Sequence, residues 1–182
     1  TADDVTNAIK AAVTAQGDWA ALPWTERASV FLRAAELLST KYRAAMNART
    51  MLGQSKTCYQ AEIDAVCELV DFFRFNVKFA QQIYTEQPMY SPTGMWNRSE
   101  ARGLEGFVFA VAPFNFLSIA VNLPAAPALM GCAVVLKPAQ TALFASYLGL
   151  QILEEAGLPP GVINLVSGDS SMISEIALKS PH

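Results

Sequence analysis

Apolar residues recur every three or four positions up to about residue 82, then regroup into short unbroken runs after residue 106. The first spacing predicts helices. In "DDVTNAIKAAVTAQGDW", Val5, Ile9 and Val13 form one stripe, and Asp3 and Asp4 sit at the positive end of the helix dipole. "LPWTERASVFLRAAELLSTKYRAAMNART" predicts a second helical stretch, with Thr25 as N-cap and Val30, Leu32, Ala35 and Leu38 as apolar contacts. A third and longest helix is predicted from near Thr57 to about Gln82. It buries one face through Ile63, Val66, Val70, Phe73, Val77 and Ala80.

Around residue 85 the character changes. Pro88, Pro92, Gly94, Gly103 and Gly106 mark an extended connection or hairpin. Strands are then predicted at "FVFAVA" (107–112), "AVVLK" (133–137) and "GVINLV" (161–166). Helical runs separate them: "LSIAVNLPAAPALMG", despite Pro124 and Pro127, and "TALFASYLGLQILEEAG", which Gly157 can close. A short helix follows from about Ser171. Strands alternating with helices require a parallel sheet with right-handed crossovers. The expected fold class is α/β: N-terminal helices, then the first βαβαβ half of a doubly wound, Rossmann-like parallel sheet. Its divisions are a helical segment over 1–84, a connection over 85–106 and the half-sheet over 107–182.

Composition narrows the function classes. The chain of 182 residues is 52% hydrophobic and 16% charged, enough for a buried core. Its net charge of −3 and the lack of any Lys/Arg run argue against a nucleic-acid partner. No apolar stretch approaches the roughly 18 residues that span a bilayer, so no membrane role is expected. No signal-peptide pattern opens the chain, which starts on Thr1 and leaves an upstream segment open. Cys58, Cys67 and Cys132 are odd in number and show no C-x-x-C spacing, which fits a reducing compartment without a disulfide framework or zinc site. The one histidine is His182, so neither a histidine triad nor a metal site is expected.

In an open α/β sheet, ligands gather beyond the carboxyl ends of the strands. Three segments end there: "APFNF", "KPAQT" and "VSGDSS", and their convergence on one crevice predicts a site. Asn115 has two readings, an N-cap for the next helix or an amide donor to an oxyanion. Lys137, followed by Pro138, is either a solvated strand end or a donor to the ribose or phosphates of a nucleotide, with Gln140 near enough to share that ligand. "GQSKT" (53–57) lacks the glycine before Lys56 and the preceding strand that a phosphate loop needs, and G-x-G-x-x-G is absent. Glu62 reads as a solvated carboxylate on the long helix, and Cys132 as core.

The order "APFNF", helix, "GCAVVLKPAQT", "EEAGLPPGVINLV" resembles the aldehyde dehydrogenase superfamily over nearly the whole chain. "MLGQSKT", "QAEIDAVCELVDFFRFN", "RGLEGFVFAVAPFNF" and "PALMG" are most similar to its Δ1-pyrroline-5-carboxylate dehydrogenase branch. That resemblance implies NAD-dependent oxidation of L-glutamate γ-semialdehyde to L-glutamate in proline breakdown. It makes Asn115 the amide that stabilises the oxyanion. Lys137, with Pro138, Gln140 and Gly168 in the same strand-end segments, then binds cofactor; Ala112, Pro113 and Phe114 line the nicotinamide side. Glu62 would stand near the substrate's amino group, and Phe116 would form an aromatic wall of the aldehyde pocket. It further implies a small-molecule aldehyde substrate, a homo-oligomer when full length, and a mitochondrial matrix location in a eukaryote or a cytoplasmic one otherwise.

Two departures stand out. Gln140 occupies the region where many NAD-preferring relatives carry a carboxylate, which loosens the expected discrimination against NADP. "VSGDSS" lacks the second glycine usual in the superfamily, which leaves the contact around Ser170 open. The family's nucleophilic cysteine and general-base glutamate are expected beyond His182, so these residues alone are expected to be inactive. Another semialdehyde substrate, such as succinate semialdehyde, and a non-catalytic nucleotide-binding or oligomerisation module remain alternatives.

Overall fold

The computed structural model describes residues 1–182. Helix α1, Ala2–Ala21, opens on a capping box: the Thr1 hydroxyl accepts from the Asp4 N–H at 3.3 Å, and the Asp4 carboxylate accepts from Thr1. Asp4 therefore acts as a specific cap partner as well as a charge near the helix dipole. Helix α2 covers Trp24–Ser39 with Pro23, not Thr25, at the N-cap. Proline suits that place because its fixed φ is compatible with helix entry and its missing N–H costs no helical hydrogen bond. Thr25 consequently lies inside the first turn. Leu32 is 46% exposed, because the buried face of α2 runs through Phe31, Ala34, Ala35 and Leu38 instead.

A break at Thr40–Tyr42 separates α2 from α3, Arg43–Gln54. The long predicted helix is present as three consecutive pieces: α4 at Cys58–Ala61, a π-helical segment at Glu62–Cys67, and α5 at Glu68–Thr85. Thr57 and Gln60 form a second capping box at its start. The wider π turn advances the apolar stripe out of phase, so Ile63 is 44% exposed while Val66, Val70, Phe73 and Ala80 stay buried. The expected burial of Ile63 is thereby corrected.

Residues 86–106 carry no strand. The connection turns back on itself through side chains: the Gln87 amide donates to the Ser99 carbonyl at 3.2 Å and accepts from its N–H at 3.0 Å. The strands follow at β1 Phe107–Val111, β2 Ala133–Lys137 and β3 Ile163–Leu165, parallel and in the order β1-β2-β3. Register pairs Val111 with Lys137 and Leu136 with Leu165. Helix α6, Leu117–Leu129, contains Pro124 and Pro127. A 3-10 turn at Gln140–Ala142 leads into α7, Leu143–Glu155, and Asp169 caps α8, Ser170–Leu178, by accepting from the Met172 N–H at 2.7 Å.

Both faces of the sheet are covered. Val134 and Leu136 point into a core shared with α2, α5, α6 and α7. Ala133 and Val135 point the other way, against Val5, Ile9 and Ala12 of α1 and Ile173 of α8. Such two-sided burial explains why β2 reads as an uninterrupted apolar run rather than an alternation. No helix is long and apolar enough to cross a membrane.

Candidate functional site

The carboxyl ends of β2 and β3 enclose a cleft of about 730 Å³. Lys137, Pro138, Gln140, Gly168 and Ser170 line it. Four residues singled out from the sequence as nucleotide contacts, Lys137, Pro138, Gln140 and Gly168, thus meet in one place. The Lys137 ammonium makes one hydrogen bond, to the adjacent Pro138 carbonyl at 3.2 Å, which leaves donor capacity facing the cleft. Gln140 is exposed. Gly168 has φ +139, a conformation that side-chain-bearing residues rarely adopt, while a Cβ there would meet nothing closer than 3.9 Å. Backbone conformation, not crowding, calls for glycine at that turn.

The expected convergence of three strand endings is corrected to two. The "APFNF" loop does not line this cleft. β1 is an edge strand, and its exit loop turns toward α3, where the Gln54 amide donates to the Phe114 carbonyl at 2.6 Å. The two regions remain neighbours nonetheless. The Ala112 N–H donates to the Lys137 carbonyl at 3.1 Å, extending the β1–β2 ladder one residue past its end.

Within that loop Ala112 is buried, whereas Pro113, Phe114 and Asn115 are exposed. The cap reading of Asn115 does not hold. The first bond of α6 runs from the Ala120 N–H to the Phe116 carbonyl, so Phe116 is the N-cap, and no side chain caps this helix. Asn115 sits one residue ahead of the N-cap, exposed, and its amide makes no hydrogen bond to the helix. Phe116 is half-buried and carries the Lys56 ammonium 4.4 Å above its ring centroid. Lys56 also pairs with Asp64 at 2.6 Å.

Glu62 belongs to a separate cluster. Its carboxylate pairs with Arg43 and accepts from the Asn47 amide at 2.5 Å and the Cys67 thiol at 3.5 Å. The π segment places Glu62 and Cys67, five residues apart, one turn above each other. The Asn47 hydrogen bond first, and the Arg43 charge after it, hold Glu62 below the usual glutamate range. Cys67 is exposed overall, but its sulfur is turned toward Arg43 and Glu62. Desolvation, then the bond to Glu62, raises its thiol above the ordinary value.

A depressed folded-state pKa gives stability that is full above the ordinary glutamate value and is lost as pH falls through the folded value. A Glu62→Gln variant is therefore expected to melt below the parent at pH 7, with the gap closing below about pH 4. Thermal midpoints across that range check it; a gap that persists at low pH would assign the difference to something other than the ionised carboxylate.

Cys132 is buried at 5%, in agreement with its reading as core. Sequence reasoning missed Gln54 and Lys56, which hold the "APFNF" loop from below. Their sequence signal was "MLGQSKT", which carries part of the family resemblance without assigning either residue a role; "GQSKT", at the end of α3, has neither the glycine nor the preceding strand of a phosphate loop.

The profile of the aldehyde dehydrogenase family matches residues 1–182. The chain is 52% identical over 181 residues to the mitochondrial Δ1-pyrroline-5-carboxylate dehydrogenase of Emericella nidulans, covering 100% of this chain and 32% of that protein. It is 51% identical over 175 residues to the mitochondrial enzyme of that name from Mus musculus, covering 96% and 31%. A crystal structure of the Δ-pyrroline-5-carboxylate dehydrogenase from Mycobacterium tuberculosis bound with NAD superposes with a TM-score of 0.97 at 60% identity, over 100% of this chain and 34% of that one. The chain thus spans about a third of the length of these relatives.

Proposed function

This chain belongs to the aldehyde dehydrogenase family, and from that premise we propose that it forms part of an NAD-dependent enzyme that oxidises L-glutamate γ-semialdehyde to L-glutamate. In this reading residues 107–182 form the first half of the NAD-binding domain, behind the helical segment 1–84 and the connection 85–106. One observation carries the proposal. The Val111–Lys137 register and the Ala112–Lys137 hydrogen bond set a loop with a free carboxamide beside a cleft lined with nucleotide-type donors.

Each residue then has a role. The cleft suits the ribose of a dinucleotide: Lys137 has spare ammonium donors for its hydroxyls, Gln140 can donate or accept, and Pro138 and Gly168 shape the walls. At the α8 N-terminus the Asp169 carboxylate occupies the Met172 N–H and adds negative charge, which disfavours a phosphate at Ser170. When bound, NAD supplies the hydride acceptor. Ala112, Pro113 and Phe114 border the nicotinamide side; Asn115 donates its N–H groups to the aldehyde oxygen as negative charge develops there. Phe116 walls the aldehyde pocket, and Glu62 stands on the side of the substrate's amino group, sharing its carboxylate between that group and Arg43. A homo-oligomer is the proposed assembly. The mitochondrial matrix is the proposed location if the source is eukaryotic, in keeping with the names of its eukaryotic relatives, and the cytoplasm otherwise.

Full-length enzyme assayed for NAD reduction tests the reading. Turnover of L-glutamate γ-semialdehyde well above that of succinate semialdehyde supports it. The reverse order reassigns the substrate, and no turnover of either favours a binding module.

Lys137→Ala is expected to raise the NAD dissociation constant roughly ten-fold, about 1.4 kcal/mol for one charge-assisted hydrogen bond. Gln140→Glu is expected to move preference further from NADP by repelling the 2′-phosphate. Titration of both variants with both dinucleotides checks this; unchanged constants would remove the cleft from the cofactor site.

A further inference from the structure

The segment Gly53–Lys56 sits under both strand-end loops. Gly53 packs so closely on the 3-10 turn after β2 that a Cβ would lie 2.5 Å from the Thr141 carbonyl oxygen. Gln54 donates to the Phe114 carbonyl at 2.6 Å. A carbonyl can only accept, so the amide nitrogen is the end that faces it. The Gln54 Oε1 is buried without a protein partner, so this bond is what orients the side chain. Ser55 then takes φ 55, ψ 39, the one left-handed residue other than glycine in the chain. After that reversal, Lys56 lies over the Phe116 ring and pairs with Asp64 of the π segment. Gln54 and Lys56 thus grip the loop on the two sides of Asn115, at Phe114 and Phe116.

From this arrangement we infer that Gln54 is a positioning residue for the reaction: by holding the Phe114 carbonyl it sets where the Asn115 amide points. The inference rests on the oxyanion role proposed for Asn115. An exposed loop with no side-chain cap on the following helix has few other restraints. A displaced amide loses its alignment with a developing oxyanion steeply, because that stabilisation depends on donor geometry. Lys56 restrains the other end through the ring of Phe116, so the loop stays folded when Gln54 is changed.

A double-mutant cycle in the full-length enzyme tests this. Gln54→Met keeps the length of the side chain and removes the donor. Gln54→Glu is the second variant, should the first fail to fold. Either is expected to lower kcat about 10–100-fold, with the KM values for aldehyde and NAD moving less than about two-fold. In the Asn115→Ala background the same change is expected to cost nothing further, since Gln54 acts through that amide. A Gln54 variant with normal kcat overturns the inference, as does a loss that multiplies fully with that of Asn115→Ala. A purely structural role would lower the melting temperature and leave kcat per folded enzyme intact. If Asn115→Ala alone keeps normal kcat, it is the oxyanion reading that fails, so the two failures are separable.

Discussion

Replacing Asn115 by alanine in the full-length protein is expected, on the oxyanion role proposed for it, to lower kcat about 10²–10³-fold, the usual loss for one such donor, or roughly 2.7–4 kcal/mol. The aldehyde KM should move much less, because the interaction strengthens as charge develops on the oxygen and not on binding. Stability should barely change: Phe116 is the N-cap of α6, and no side chain caps that helix. Asn115→Asp sharpens the test. Aspartate matches asparagine in size, but its ionised carboxylate has no donor and repels an oxyanion. A folded Asn115→Asp enzyme with near-normal kcat would defeat the proposed role. A folded and nearly inactive one would support it, with steady-state kinetics and a thermal melt sufficient to tell them apart.

The second large effect is on stability and falls on Arg27, which is 4% exposed and has no carboxylate partner. Its guanidinium donates to the carbonyls of Ala20 at 3.2 Å and Leu22 at the end of α1, and to that of Leu129 at 3.1 Å at the end of α6. A fourth bond, 3.0 Å long, reaches the hydroxyl of Tyr84, whose ring stacks on Trp24. The cation therefore sits where the negative ends of two helix dipoles meet, which favours its charge without an ion pair. Arg27→Met keeps much of the apolar stem and strands three carbonyls, that of Leu129 buried and those of Ala20 and Leu22 half-buried. At about 1 kcal/mol or more for each, the loss is expected to reach about 3 kcal/mol. Thermal unfolding of the full-length protein should show a clear drop in midpoint, together with faster proteolysis at the α1–α2 junction. An unchanged midpoint would mean that water reaches those carbonyls at little cost.

Much of the architecture was legible from local pattern alone. The β2 prediction at 133–137 coincides with Ala133–Lys137, and the alternation of strands and helices required the parallel order observed. These features depend on neighbours two to four residues apart, which the chain itself supplies. The same holds for Gly157, whose N–H closes α7 on the Glu154 carbonyl at 2.9 Å. The cleft residues Lys137, Pro138, Gln140 and Gly168 were legible because strand ends in such a sheet define where ligands gather.

Other features were decided only when distant elements met. Ile63 continues a faultless apolar spacing, and the π turn rotated it outward. Asn115 is as good a cap by residue type as any in the chain, yet the first helical bond falls on Phe116. Val5 and Ile9 predicted a helix but not its partner, the far face of a sheet more than a hundred residues away. The contacts of Arg27 and Gln54 could not be read from the sequence, because their acceptors are mainly backbone carbonyls that any residue could present. Sequence by itself determined which segments became helix or strand and which residues would meet at the carboxyl ends of β2 and β3. Tertiary structure decided the phase of the long helix, the cap of α6 and the grip on the "APFNF" loop, since each depends on a backbone group brought close only by folding.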